Sequence, residues 1–287
     1  ASRVRLNATD SIRLVRGSHI VTRKLFDHEK CYFFQGRDGR IIFAIPYEGE
    51  YTLIGTTDAD HLDPSVRPQC TEAEQDYLCA FASEYFARPV TREDIVWSYS
   101  GVRPLYDDGA SSATAATRDY TLKVDTDAGA PILNVFGGKI TTYRKLAEAA
   151  LERIGDFFPG IPGPWTAGAA LPGGDFPVDG VDSLRMRLTL AYPFLSNCTV
   201  QRLVRAYGSD AFSLLGDARS QADLGEWFGE LISETEIDWL MRHEFARTAA
   251  DVLWRRTRLG LKMPAQEAER LDRWMAVRTA ATVSTAR

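Results

Sequence analysis

Apolar positions in the first half of the chain recur at short, strand-like spacing. Ile12, Leu14, Val15 and Ile20 mark a strand over 11–21. Short apolar or alternating runs follow at 31–34, 40–47 and 51–57. Asp38-Gly39 separates two of them in hairpin style, and Glu48-Gly49-Glu50 separates the next two. The pattern predicts consecutive antiparallel strands. The period then changes. Tyr77, Leu78, Phe81, Tyr85 and Phe86 line one face of a helix over 71–87, with Thr71 as N-cap and Glu74 completing a capping box. Strand character returns at 94–102, 120–124 and 131–136, around a small polar loop at 107–116. After Gly138 the spacing of Ile140, Tyr143, Leu146, Ala147, Ala150, Leu151 and Ile154 predicts a strong helix.

Regular structure stops at Phe158-Pro159-Gly160-Ile161-Pro162-Gly163-Pro164. With Leu171-Pro172-Gly173-Gly174 this reads as a linker over 159–178. Beyond it, helices are predicted at 184–192, 200–207, 210–215, 234–243, 248–258 and 265–279, with Gly208 and Gly260 as stops. The fold class expected is α+β: an antiparallel sheet with helices over 1–158, then an all-helical domain over 179–287.

Composition narrows the picture. The chain has 287 residues, 45% hydrophobic and 25% charged, as globular domains do. Thirty-four basic against 39 acidic residues give a net charge of −5, which argues against broad nucleic-acid binding. Cys31, Cys70, Cys79 and Cys198 form no C-x-x-C pair and read as reduced, mostly buried thiols. No apolar run is long enough for a transmembrane helix, and no metal site is expected. Ala1-Ser2-Arg3-Val4-Arg5-Leu6 carries neither an initiator methionine nor a signal pattern, and reads as though the chain begins mid-protein.

The chemistry concentrates at Leu133-Asn134-Val135-Phe136-Gly137-Gly138-Lys139-Ile140-Thr141-Thr142-Tyr143-Arg144. A strand runs into two glycines, a lysine and a helix start, which gathers free N–H groups, a dipole end and an ammonium. It is not a Walker loop, because Leu133 and Ile140 stand where glycine and Ser or Thr are needed. A tight turn needing positive φ accounts for the glycines equally well. Arg103 and Arg118, at apparent strand ends, either pair with a carboxylate such as Asp107 or Asp119 or face an anionic ligand. His19 is the best-placed proton carrier of the first half, although a strand histidine is more often structural. Gly55-Thr56-Thr57-Asp58 reads first as an Asx or ST turn and second as a ligand loop. Trp254-Arg255-Arg256-Thr257-Arg258 is a basic helical turn, solvated by default.

These strings resemble the FAD-dependent glycerol-3-phosphate dehydrogenases. The resemblance rests on Arg16-Gly17-Ser18-His19-Ile20-Val21, Ile54-Gly55-Thr56-Thr57-Asp58, Asp94-Ile95-Val96-Trp97 and Ser100-Gly101-Val102-Arg103-Pro104-Leu105. It continues through Thr117-Arg118-Asp119-Tyr120, the Phe136 to Arg144 string, Asp223-Leu224-Gly225 and Leu253-Trp254-Arg255-Arg256-Thr257. It implies a substrate-binding sheet and the closing part of a FAD domain over 1–158, and oxidation of glycerol 3-phosphate to dihydroxyacetone phosphate with FAD as cofactor. Arg103, Arg118 and Lys139 would bind substrate, and His19, Arg103 and Lys139 would be catalytic. Gly137, Gly138, Lys139, Ile140, Thr141 and Thr142 would face FAD. It further implies quinone as acceptor (oxygen in related oxidases), a homodimer, and a cytoplasmic location against the inner face of the membrane. No G-x-G-x-x-G occurs, so the chain is expected to be a C-terminal portion lacking the FAD-binding segment and inactive alone. The alternative is a phosphometabolite-binding or docking module without redox activity.

Overall fold

The structure, a computed structural model, describes residues 10–37, 39–109, 116–126 and 129–285. The predicted turn residue Asp38, the N-terminal string Ala1 to Leu6 and positions 110–115 of the polar loop lie outside the described residues. The chain divides into two compact units, Ala1–Gly168 and Ala169–Arg287.

The first unit is built on one antiparallel sheet. Its strands are β1 (Ile12–Arg23), β2 (Tyr32–Gln35), β3 (Ile41–Tyr47), β4 (Tyr51–Gly55), β5 (Ala59–Asp60) and β6 (Ile95–Tyr106). The order runs β2-β3-β4-β1-β5, and β6 covers the other edge of β1. That pairing, from Ile12 opposite Tyr106 to Thr22 opposite Ile95, carries β6 past the predicted end at 102. Glu48 and Gly49 both take positive φ, the geometry of a tight hairpin turn.

Alternation along the strands gives the sheet two unlike faces. On one, Ile20, Ile42, Ala44 and Ile54 pack against Leu78, Cys79, Phe81 and Ala82 of helix α1 (Glu72–Ser83). Each large aliphatic side chain buried there stabilises the unit by about 1.5–3 kcal/mol. The helix starts at the expected capping box. On the other face one cross-strand row reads Phe33, Phe43, Gly55, His19, Tyr99. This is the face that carries the chemistry.

A second ribbon pairs β7 (Tyr120–Asp125) with β8 (Ile132–Gly137). Gly137 leaves it at φ 68°, and a Cβ there would lie 3.0 Å from the Tyr106 amide nitrogen. Gly138 follows at φ 93°, with its Cβ position 3.2 Å from Tyr120 Cβ. Glycine is needed at both for conformation and for room. A 3₁₀ turn over Ile140–Thr142 then leads into α2 (Tyr143–Ile154).

The second unit comprises α3 (Val181–Ala191), α4 (Asn197–Tyr207), α5 (Asp210–Leu215), α6 (Glu234–His243) and α7 (Ala265–Thr285). They enclose a core that includes Leu184, Leu188, Leu203, Phe228, Ile237, Leu240, Leu271 and Met275. It is largely rather than wholly helical. Strands β9 (Trp227–Phe228) and β10 (Ile232–Ser233) form a hairpin too short to show a period in the sequence. Gly208 caps α4 as expected. Gly260 is not a helix stop: it sits inside a 3₁₀ turn, where a Cβ would lie 2.4 Å from the Trp254 ring. The chain instead breaks at Arg258, φ 64°. The preceding segment is a π-helix over Asp251–Arg256. Cys31 and Cys198 are exposed, against the expectation of mostly buried thiols.

Candidate active site

Strand β1 lies between β4 and β6, and glycines on these strands make room for the site. Gly17 pairs with Gly101, and His19 stands between Gly55 and Tyr99. The Arg103 guanidinium lies flat over Gly17, where a Cβ would come within 2.5 Å of Nη2. The His19 ring lies over Gly55, where a Cβ would come within 2.2 Å of Cδ2. On its other side the imidazole stacks on Tyr99, centroids 5.0 Å apart and rings 5° from parallel.

The two arginines converge. Arg103 Nη1 donates to Asp58 Oδ1 at 2.9 Å and Nη2 to Thr56 Oγ1 at 3.2 Å. Arg118 Nη2 reaches Asp58 Oδ2 at 3.4 Å, and its Nη1 donates to the Ala116 carbonyl at 2.6 Å. The shared acid is therefore Asp58, where the sequence pointed to Asp107 or Asp119. Asp107 accepts instead from Ser11 and the Gly109 amide. The sequence signal was present in the string Gly55-Thr56-Thr57-Asp58, whose Thr56 and Asp58 accept from the arginines.

Behind this loop sits Glu74, buried at the start of α1. Thr57 Oγ1 donates to it at 2.8 Å and Ser18 Oγ at 2.9 Å. Arg16 pairs with it at 3.1 Å, and the Ser18 amide donates to Thr57 Oγ1 at 3.0 Å. Burial works to raise the Glu74 pKa, but the bonds from the Thr71 backbone, Thr57 and Ser18 prevail and hold it below the ordinary value. The carboxylate thus fixes the residues next to His19 and next to Asp58. The sequence showed only its capping role.

His19 is neutral at physiological pH. Burial, then the Arg103 charge, depress its pKa from 6.5 to about 4. Its Nδ1 is buried and has no hydrogen-bond partner among the described residues. Between pH 6.5 and about 4 the unfolded chain binds a proton at this residue that the folded chain refuses. Stability is therefore complete above pH 6.5 and is lost as pH falls through that window, by at most about 1.4 kcal/mol per pH unit. Urea unfolding of wild type and His19→Asn across this range should give a flatter profile for the variant; identical profiles would refute the assignment.

Lys139 is exposed at the start of the 3₁₀ turn, and its ammonium has no partner among the described residues. The register Tyr120 opposite Gly137 places Arg118, two residues before, and Lys139, two residues after, at the same end of the β7–β8 ribbon. Ile140 is 88% exposed, and Thr142 Oγ1 donates to the Lys139 carbonyl at 2.9 Å. The two-glycine hinge, the first amides of a helix and a free ammonium suit the electron-rich edge of a flavin. Among the described residues no acidic, histidine and cysteine cluster could hold a metal ion. A separate cavity of about 490 Å³ lies between α2 and the Pro/Gly segment, lined by Tyr120, Glu148 and Trp165 among others and by none of the site cations.

Known proteins share this architecture. The family profile described as FAD dependent oxidoreductase matches residues 2–144, and that of the C-terminal domain of alpha-glycerophosphate oxidase matches 165–281. The aerobic glycerol-3-phosphate dehydrogenase of Escherichia coli (strain K12) is 44% identical over 265 residues, covering 92% of this chain and 53% of that protein. The D-erythritol 1-phosphate dehydrogenase of Brucella abortus (strain 2308) is 40% identical over 264 residues, covering 92% and 53%. The X-ray structure of the glycerol-3-phosphate dehydrogenase from Bacillus halodurans complexed with FAD superposes with a TM-score of 0.77 at 26% identity, over 96% of this chain and 55% of that one. The chain spans about half the length of the curated relatives it matches. The expectation that the chain lacks a FAD-family region, and is inactive on that account, is corrected by the profile match to residues 2–144. Among the described residues no helix is long and apolar enough to cross a membrane. Residues 2–144 are thus similar to the FAD dependent oxidoreductase family, and residues 165–281 to the C-terminal domain of alpha-glycerophosphate oxidase.

Proposed function

We propose that the protein oxidises sn-glycerol 3-phosphate to dihydroxyacetone phosphate with FAD as cofactor. The observation that carries this reading is the convergence of Arg103 and Arg118 on one point beside the neutral His19. Arg103 and Arg118 present planar donor forks to the phosphate oxygens, and Lys139 adds a third positive charge. His19 receives the C2 hydroxyl proton or hydrogen bond. A ring with so low a pKa acts more as an acceptor that polarises the hydroxyl than as a strong base. The amides from Gly137 to Thr142 would hold the cofactor by its pyrimidine edge. When bound, FAD supplies the two-electron acceptor chemistry for the C2–H bond.

The acceptor downstream would be quinone, reached by peripheral contact with the inner face of the cell membrane, and the protein would work as a homodimer. A second reading keeps the phosphate grip and lengthens the polyol. The similarity to the Brucella D-erythritol 1-phosphate dehydrogenase, nearly as high as that to the Escherichia protein, motivates it.

Dye reduction by the FAD-loaded protein tests both. We expect saturable turnover with glycerol 3-phosphate, at least tenfold above that with D-erythritol 1-phosphate, and none with glycerol. A reversed preference would favour the second reading. Equal rates with and without the phosphate group would defeat both.

A further inference from the structure

We infer that Asp58 is the positioning residue of the anion grip. It is a built-in carboxylate that holds both guanidinium groups aimed at one point until a phosphorylated substrate arrives. The inference rests on the proposed reading of the site but is tested separately from it.

Two arginines brought close together repel each other, and flexible side chains would splay apart into water. Here one carboxylate uses a different oxygen for each. Oδ1 takes Arg103 and Oδ2 takes Arg118. Arg103 is held a second time by Thr56, two residues before Asp58, and rests on Gly17 beneath it. The acid itself has little freedom. Its neighbour Thr57 is buried and tied both to Glu74 and to the Ser18 amide. The Thr57 amide also donates to the Ser18 carbonyl at 3.3 Å. The order of restraint is thus Glu74 to Thr57, Thr57 to Asp58, and Asp58 to both arginines. All three charged side chains of the grip stay partly accessible, with relative exposures of 34% for Arg103, 25% for Arg118 and 22% for Asp58. A ligand can therefore approach both guanidinium groups from solvent.

The charges agree with this role. Two guanidinium groups and one carboxylate leave one positive charge, and Lys139 on the same end of the ribbon adds another. Preorganised donors with a surplus of two charges match a phosphate monoester dianion, and the cost of ordering them has been met in folding.

The test compares wild type, Asp58→Asn and Asp58→Glu, all with FAD, in two arms. Calorimetry with inorganic phosphate reads the grip alone. Asparagine offers one acceptor oxygen and no charge, so Asp58→Asn is expected to weaken phosphate binding at least tenfold, and Asp58→Glu to stay within about threefold of wild type. Dye reduction with glycerol 3-phosphate reads the reaction. There Asp58→Asn should raise KM by more than it lowers kcat, and Asp58→Glu should recover most of the KM. A purely structural role would lower both together without rescue. Wild-type phosphate affinity in Asp58→Asn would overturn the inference, as would a wild-type protein that binds no phosphate. Phosphate binding that depends on Asp58, in a protein that does not oxidise glycerol 3-phosphate, would instead support the inference and sink the proposed reaction.

Discussion

Gly17→Ala is expected to lower kcat/KM for glycerol 3-phosphate by about 100-fold or more while leaving the fold intact, because small misplacements of a binding group are that costly. The new methyl would sit 2.5 Å from Arg103 Nη2, 2.6 Å from Nη1 and 2.8 Å from Cζ. Those atoms are the far end of a flexible side chain. The guanidinium can swing away at little cost in stability, but it then leaves Asp58 and Thr56. Gly17 has an ordinary negative-side backbone conformation, so alanine adds no backbone strain. The urea midpoint should therefore stay near wild type while KM rises steeply. Arg103→Ala should show the same loss, and the double variant should be no worse than Arg103→Ala alone, since both act on one group. Wild-type kinetics in Gly17→Ala would mean that Arg103 does not work from the position seen here. A double variant much worse than either single would mean that Gly17 serves something else.

What the sequence made legible was local. Thr71 and Glu74 announced a helix start because a capping box is written within four residues. Glu48-Gly49 announced a turn for the same reason. Arg103 could be recognised as a residue that needs a partner, because a cation at the end of a pairing strand is seldom left dry. Which partner it takes was not legible. Asp58 lies 45 residues away and meets Arg103 only because β1 runs between β4 and β6. The same long-range pairing hid the second role of Glu74, whose bonds to Ser18 and Thr57 cross from helix to sheet. Nothing local marks Gly17 and Gly55 as positions of close approach; the side chains of Arg103 and His19 that lie over them do. In the second unit the failures have another cause. Two-residue strands carry no period, and Gly260 is set by the bulk of Trp254 six residues before it rather than by a helix end.

Gly55→Ala should be more damaging still, because here the obstructed group cannot step aside. A Cβ at this position would lie 2.2 Å from His19 Cδ2, 2.7 Å from Cγ and 2.9 Å from Nε2. Cγ is the root of the ring, so rotating its tip gives no relief. The far side of the ring is taken by Tyr99, stacked at 5.0 Å and itself packed on Trp97 at 4.9 Å. The strain must spread into the sheet, at a cost of about 1–3 kcal/mol for overpacking. Turnover should fall by about 100-fold or more, the range expected when a proton-handling group is displaced. The second-site variant His19→Ala separates the two effects. Added to Gly55→Ala, it removes the clashing ring and should return the urea midpoint towards wild type, while turnover stays lost. If the double variant regained activity, His19 would be a spacer between Gly55 and Tyr99 and not a participant in the reaction. If stability failed to recover, the collision would lie elsewhere than in the imidazole, and the aromatic row across the sheet would need another explanation.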